Sequence, residues 1–424
     1  MLCCQMTYHR ILTFWRDFHV LRGCLGTNPR VGGSVQCCSM LIHNSHGPVA
    51  LLSKMGYSMQ HTLTKSDSSN ATEEVPSKYD LLNYTTSGKS LHCQETDSSN
   101  ITKSGPTVNP LNNRVMLFDG TAIMYRSYYK LLAKLHHGLL GHADGNGDWV
   151  LTIFTALSLL LDALEFVPSH VAVVFDHDGI TFRHMIYPSY KSNRIPTPDT
   201  VIQALQYFKA SIKAMSIKVI EVPGVEADDV VGTLAVNSVS AGYKVRIVSP
   251  DKDFFQVLSP SLRILRLASR GSGMVSFGLE DFAKRYGDLK PSQFVDIAAL
   301  AGDKSDNIPG VEGIGEINAL KLITKFGSLE NLLDCVDQVE DERIKQALMT
   351  NADLARLCKN LATLRSDLPS YMVPFETPNL VFRKPQDGGE KFIGLLRAIG
   401  AYAEGFSADP IIRRTSYLWN RLRT

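Results

Sequence analysis

Four short apolar runs, each followed closely by carboxylates, constrain this chain more than anything else in it. Residues 115–118 (Val-Met-Leu-Phe) end at Asp119, and residues 171–175 (Val-Ala-Val-Val-Phe) end at Asp176. Residues 218–222 (Lys-Val-Ile-Glu-Val) lead through a Pro-Gly-Val turn to Glu226, Asp228 and Asp229. Residues 244–248 (Lys-Val-Arg-Ile-Val) lead to Asp251 and Asp253. Short runs rich in β-branched residues read as strands. Longer stretches of helical texture separate them, at residues 149–167, 199–215 and 227–240. The alternation predicts an α/β body: a central, mostly parallel sheet with helices on both faces.

An open parallel sheet binds ligands beyond the carboxyl ends of its strands, where all of these acids would stand. Asp303 and Asp306 join them from Gly302-Asp-Lys-Ser-Asp-Asn307, just after an apolar helix expected at residues 294–301. Nine acids from five chain segments would then face one rim. Singly, each has a structural explanation. Glu226, Asp228 and Asp229 favour a helix N-terminus, Asp251 and Asp253 can cap a short helix, and Asp303 can shape a turn. Their convergence points elsewhere. Two carboxylates ~5 Å apart repel by roughly 3 kcal/mol at an effective dielectric near 20. Crowding five or more would cost a large part of a typical stability of ~5–15 kcal/mol.

Hard divalent cations with oxygen ligands remove that cost, and Mg²⁺ (with Mn²⁺ as a substitute) is the expected cofactor. Two such ions ~3.5–4 Å apart can activate a water and stabilise the leaving oxygen in phosphodiester hydrolysis. There is no His/Cys set for zinc and no G-x-S-x-G. Gly88-Lys89-Ser90 lacks the glycine of a P-loop, since Asn83 stands at that position. The chemistry indicated is metal-assisted phosphoryl hydrolysis without ATP.

A net charge of only +2 means that affinity for nucleic acid must come from local patches. Residues 179–198 contain no acid and carry Arg183, His184, Lys191 and Arg194, interleaved with Phe182, Tyr187 and Tyr190. Cations for phosphate and rings for base stacking suit a single-strand groove; a solvated loop with some core aromatics is the alternative. Gly310-Val-Glu-Gly-Ile-Gly315, followed by amphipathic residues 319–323, looks like a helix-hairpin-helix. Its glycines (Gly310, Gly313, Gly315) would let backbone amides approach duplex phosphates closely.

Residues 1–60 contain one acid, Asp17, against Arg10, Arg16, Arg22, Arg30 and Lys54. That is the composition of a mitochondrial or plastid transit peptide, with a disordered extension as the alternative. Residues 61–112 are a low-complexity linker, Ser-Asp-Ser-Ser-Asn at 66–70 being echoed by Thr-Asp-Ser-Ser-Asn at 96–100. Beyond it the expected organisation is a catalytic α/β domain at 113–285, a helix-hairpin-helix subdomain at 286–375, and a helical tail at 376–424. The eight cysteines show no C-x-x-C spacing, which makes a reducing compartment the default. No run approaches the ~18–20 apolar residues of a membrane span.

Taken in order, several strings resemble a known family. They are Leu117-Phe-Asp-Gly120, Val174-Phe-Asp176, Phe182-Arg-His184, Tyr187-Pro-Ser-Tyr-Lys191 with Asn193-Arg194, Glu226-Ala-Asp-Asp-Val230, Asp251-Lys-Asp253, Ser305-Asp-Asn-Ile-Pro-Gly-Val311 and Gly313-Ile-Gly315. The resemblance is to the 5′→3′ exonuclease domain of bacterial-type DNA polymerase I, in the flap endonuclease (5′-nuclease) superfamily, over roughly residues 114–370. It implies a PIN-like fold with a helix-hairpin-helix (H3TH) subdomain. The implied enzyme is a two-metal-ion 5′→3′ exonuclease and flap endonuclease acting on DNA with 5′ ends or flaps, and on RNA primers, in replication or repair. By position the resemblance gives Asp119, Asp176, Glu226, Asp228 and Asp229 mainly to one metal, and Asp251, Asp253, Asp303 and Asp306 to the other. It places Arg183 and Lys191 on the scissile phosphate and 5′ strand, and Arg126, Tyr187, Tyr190 and Arg194 on the nucleic acid. It also implies K⁺ at the helix-hairpin-helix.

Two departures stand out. Glu316-Ile317-Asn318-Ala319 replaces the family's usual Glu-Lys-Thr-Ala, and only about fifty residues follow Met372. The expectation is a stand-alone, monomeric organellar nuclease served by a separate polymerase. The rival readings are a PIN-type endoribonuclease and a catalytically inactive nucleic-acid-binding relative.

Overall fold

The computed structural model describes residues 113–140, 147–267 and 273–422. The transit-peptide and linker readings, at 1–60 and 61–112, lie outside them. The strands are β1 (Arg114–Asp119), β2 (His170–Phe175), β3 (Lys218–Glu221), β4 (Lys244–Val248), β5 (Leu262–Leu267) and β6 (Met274–Phe277). They form one sheet in the order β3-β2-β1-β4-β5-β6, parallel throughout except for β6, which runs antiparallel at the edge. The expected architecture is present.

The strands alternate sides as period-2 geometry requires. Val115, Leu117, Ala172, Val174, Val245 and Ile247 enter one core, and Met116, Phe118, Val171, Val173 and Phe175 enter the other. β2 is buried along its whole length, which explains its unbroken apolar run. From β1 the chain moves outward to β2 and β3, then returns to the far side of β1 for β4. The switch point therefore lies between β1 and β4, where doubly wound sheets open a crevice. Register aligns the rim: Asp119 pairs with Val174, and Phe118 with Val248.

Helix Ala227–Ser240 covers the first face, and helices Gly120–His136, Asp148–Leu164 and Asp199–Ala214 cover the second. β5 and β6 were not anticipated. Arg263 and Arg266 break the apolar run of β5, and β6 is a four-residue edge strand with Val275 exposed. The expected helical tail is part of the body. Its helices Glu390–Gly400 and Asp409–Arg421 bury Phe392, Leu396, Ile411, Leu418 and Trp419 in the core that holds Phe118.

The helix-hairpin-helix is present too. Helix Phe294–Ala301 ends at Gly302, Asp303 bridges Ile308 across the hairpin, and helix Glu316–Phe326 follows. Gly302 (φ +74) and Gly310 (φ +70) press together: a Cβ on Gly302 would lie 2.6 Å from the Ile308 oxygen, and one on Gly310 2.5 Å from the Gly302 nitrogen. Only glycine fits either place. Leu300, Val311, Ile314 and Ile323 share one hydrophobic core with Val230, Leu234 and Phe254, so the hairpin is packed onto the sheet layer.

Candidate metal centre and nucleic-acid interface

Asp119 ends β1 and caps helix Gly120–His136, its Oδ1 accepting from the Ala122 amide at 2.8 Å. Its other oxygen accepts from Ser249 Oγ at 3.1 Å. Burial, reinforced by the charges of Asp176 and Asp251 and only partly offset by these donors, raises its carboxyl to about 7. The capping role and the rim position coexist in one side chain.

Asp176 follows β2, stands exposed, and accepts from the Ala227 amide at 2.9 Å. Asp228, one residue on, is different: its Oδ1 is buried with no hydrogen-bond partner. Burial, then Asp119, Asp251 and Asp176, drive its carboxyl well above the usual range. Asp251 accepts from the Asp253 amide at 2.8 Å, and both are raised, first by burial and then by acidic neighbours including Asp303 and Asp306. Asp303 accepts from the Ser305 amide at 2.8 Å and lies 3.6 Å from Lys252 Nζ. Asp119, Asp176, Asp228, Asp251, Asp253, Asp303 and Asp306 thus each lie within electrostatic reach of at least one other of these acids.

Two of the acids are neutralised by the chain itself. Glu226 accepts from Lys191 Nζ, from Arg183 at 3.0 Å and from the Tyr190 hydroxyl at 3.0 Å. The same Tyr190 hydroxyl lies 2.9 Å from an Asp306 oxygen, so its one proton is shared between the two carboxylates, and Asp306 pairs with Arg194 and, at 3.7 Å, with Lys191. Burial would raise the Asp306 carboxyl, but Lys191 and Arg194 outweigh it and hold it below its usual value. The Lys191 amide donates to the Asp306 carbonyl at 2.9 Å, and the Asn307 side chain donates to the Ser189 carbonyl at 2.7 Å. Lys191 (φ +55) and Asn307 (φ +56) are both left-handed, a conformation that non-glycine residues adopt at a cost and that gathers at functional sites.

Four expectations need correction. Asp229 is fully buried and faces away from the rim, because consecutive helix positions point about 100° apart. It accepts from Arg183 at 2.6 and 2.8 Å and from the Arg365 amide at 2.9 Å, so it is not among the rim carboxylates. Arg183 is 4% exposed, and its donors go to Asp229, Glu226 and the carbonyls of Leu361 (2.9 Å) and Thr363 (2.8 Å). It has no donor left for a phosphate. Tyr190 is 3% exposed and ties Glu226 to Asp306, so its ring is no stacking platform. Gly310 is buried, its place set by the contact with Gly302, whereas Gly313 and Gly315 are exposed.

Tyr187 is half-buried against the core. Arg126 is half-buried beside Ser249 and Pro250, and the side chain of Arg194 stays 54% exposed. Ser249 was not anticipated, although its place just past β4 was a signal. It is buried, donates to Asp119 and accepts from the Asp251 amide at 3.1 Å.

The donor set suits a hard divalent ion: carboxylate oxygens only, one of them orphaned in the interior. Among the described residues, no three of these acids close around a single point as they stand. Lys191 and Arg194 occupy the charge that a cation would otherwise neutralise.

Residues 114–287 match the family model described as the 5′-3′ exonuclease N-terminal resolvase-like domain, and residues 289–387 match the 5′-3′ exonuclease C-terminal SAM fold. DNA polymerase I of Bacillus caldotenax is 32% identical over 290 residues, which is 68% of this chain and 32% of that protein. The thermostable DNA polymerase I of Thermus caldophilus is 39% identical over 257 residues, 60% of this chain and 29% of that protein. The chain thus spans about a third of the length of these relatives. The structure of T5 D15 protein co-crystallised with metal ions is 21% identical, with a TM-score of 0.48, over 69% of this chain and 100% of that one.

Proposed function

We propose, from the premise that residues 114–387 belong to the 5′-3′ exonuclease family, that the chain is a divalent-metal-dependent, structure-specific 5′-nuclease. It hydrolyses phosphodiester bonds in DNA at 5′ ends and 5′ flaps. The observation that carries this reading is the orphaned Asp228 oxygen, buried within a rim of carboxylates that repel one another. A cation is the partner such an oxygen lacks.

Asp119, Asp176, Glu226 and Asp228 would hold one ion, and Asp251, Asp253, Asp303 and Asp306 a second, with Mg²⁺ as the cofactor and Mn²⁺ as its substitute. Bound there, metal supplies charge for the phosphate and acidity for the attacking water. The protein's own groups set the rest. Tyr190 fixes the spacing of Glu226 and Asp306 with one hydroxyl. Lys191 lies against both acids at the rim's edge, where it can turn to a phosphate once cations relieve it. Arg194, largely exposed, suits the strand beyond. The exposed backbone at Gly313 and Gly315 suits duplex phosphates.

The test is cleavage of an end-labelled 5′-flap duplex with Mg²⁺ and with EDTA, alongside single-stranded RNA. Mg²⁺-dependent release of the flap is the expected result. Cleavage of RNA alone would move the protein to the endoribonucleases, and duplex binding without cleavage would make it an inactive relative.

The description of the relatives as DNA polymerase I supports a setting in which a polymerase generates the flaps. We also infer a plastid or mitochondrial address from the arginine-rich, acid-poor composition of residues 1–60. A fluorescent fusion of residues 1–110 should enter one of these organelles; diffuse cytosolic signal would sink that address.

A further inference from the structure

The unexpected burial of Arg183 leaves a residue with five donors and no nucleic acid to meet. Its partners lie at both ends of a mechanical connection. Helix Ala352–Ala362 packs against helix Phe294–Ala301, whose end opens into the loop carrying Asp303 and Asp306. Helix Ala352–Ala362 then runs into an extended strap, residues 363–368.

The last carbonyls of a helix have no partner within it and carry partial negative charge. Here the catalytic layer supplies the donors. Arg183 Nε takes the Leu361 carbonyl, and Gln256 Nε2 takes that of Ala362 at 2.9 Å. The strap is stitched onward in the same way. The Leu364 amide donates to Gln256 Oε1 at 3.0 Å, and the Arg365 amide to Asp229 Oδ1 at 2.9 Å. The remaining Arg183 donors reach the Thr363 carbonyl at the start of the strap, Asp229 and the rim carboxylate Glu226.

We propose that Arg183 is a positioning residue that locks the end of the hairpin subdomain to Glu226, so that seating of the hairpin on a duplex and placement of this carboxylate are one event. Arg183 contacts no phosphate. The proposal rests on the nuclease reading for its kinetic test and stands on geometry for the rest. Asp229 is the hinge of the connection, gripping Arg183 with both oxygens and the strap with one. Gln256 holds the start of the strap with both atoms of its amide, through the Ala362 carbonyl and the Leu364 amide, and has no hydrogen bond to a carboxylate of the rim.

Arg183→Gln and Gln256→Ala in the full chain test it. Arg183→Gln should lower kcat on a flap duplex by about 10- to 100-fold, as loss of an outer support for a ligating carboxylate does, and Gln256→Ala, one contact further out, should lower it less but measurably, each with KM near wild type. The slope of log affinity against log salt, measured with metal withheld, should match wild type for both. Loss of a phosphate contact would instead reduce that slope by about 0.9. If Arg183→Gln fails to fold, Gln256→Ala decides alone, and wild-type kcat in it overturns the proposal. Amide exchange reads the connection without turnover. Gln256→Ala should speed exchange at residues 226–230 as well as at 361–368, and acceleration confined to the strap overturns the coupling. A wild-type protein with no flap cleavage counts against the nuclease reading only, since the exchange result still judges the connection.

Discussion

Ser249 Oγ donates a 3.1 Å hydrogen bond to Asp119 Oδ2, joining the ends of β1 and β4 beneath the acidic rim. Because the same oxygen accepts from the Asp251 amide, one small hydroxyl fixes two carboxylate-bearing segments against each other. Ser249→Ala removes a buried hydrogen bond to a charged group, whose contribution is about 1.5–3 kcal/mol. We expect thermal stability to fall and kcat on a flap duplex to drop about tenfold with KM unchanged. Unaltered turnover would show that Asp119 needs no support from β4.

The raised carboxyl of Asp119 makes a pH prediction with a definite sign. Burial, with Asp176 and Asp251, lifts it from 3.8 to about 7 in the folded chain, so between those values the folded state binds more protons than the unfolded state. Stability then falls as pH rises through that window. In EDTA, the melting temperature should climb more steeply from pH 7.5 to pH 5 in the wild type than in Asp119→Asn, where this group cannot titrate. Mg²⁺ or Mn²⁺ should flatten the wild-type gradient, because the cation favours the ionised form. A wild-type gradient equal to that of the variant would mean that Asp119 ionises freely.

Adjacent Asp228 and Asp229 should behave oppositely. Asp228 has a buried oxygen with no partner, and Asp229 is saturated by Arg183 and the Arg365 amide. Asp228→Asn removes a buried carboxyl whose ionised form is disfavoured by burial and by its acidic neighbours, so it should raise the melting temperature in EDTA above neutral pH while abolishing Mg²⁺-dependent cleavage and weakening Mn²⁺ binding. Asp229→Asn leaves the Arg183 guanidinium half-paired in the interior, and breaking a buried pair costs about 3–5 kcal/mol. It should lower the melting temperature and spare Mn²⁺ affinity. Calorimetry on the two variants checks both halves. Equal loss of Mn²⁺ binding would return Asp229 to the ligand set.

That contrast marks where the sequence was legible and where it was not. The strands β1 and β2 stand out because apolar runs covered on both faces have no polar alternation, β3 and β4 show through their β-branched residues despite Lys218, Glu221 and Arg246, and the acids past the four ends follow from chain direction alone. Which acid turns inward did not follow. Asp228 and Asp229 are chemically identical in the sequence, and only the rotation of helix Ala227–Ser240 against Arg183 separates them. The basic segment misled for a related reason. Arg183 and Tyr190 read as nucleic-acid contacts by composition, yet their partners come from 36 to 180 residues away in the chain. β5 stayed hidden because Arg263 and Arg266, each half-buried on opposite faces of the strand, interrupt its apolar run.

The glycines of the hairpin, alike in the sequence, divide into two kinds in the fold. Gly310 is left-handed and a Cβ on it would lie 2.5 Å from the Gly302 nitrogen, a main-chain atom that cannot move aside, while Gly313 is left-handed (φ +83) with open space where a Cβ would go. Alanine at either position strains the backbone by about 1–3 kcal/mol. Only at Gly310 does a collision with the Gly302 main chain add to that strain. Gly310→Ala should therefore melt many degrees lower and lose duplex binding together with stability. Gly313→Ala should stay folded and weaken duplex binding by obstructing phosphate approach, with flap cleavage reduced chiefly through KM. Binding isotherms on a plain duplex, taken below both melting transitions, separate the two cases. Normal duplex affinity in Gly313→Ala would remove the hairpin from the interface and leave it a packing element of the catalytic layer.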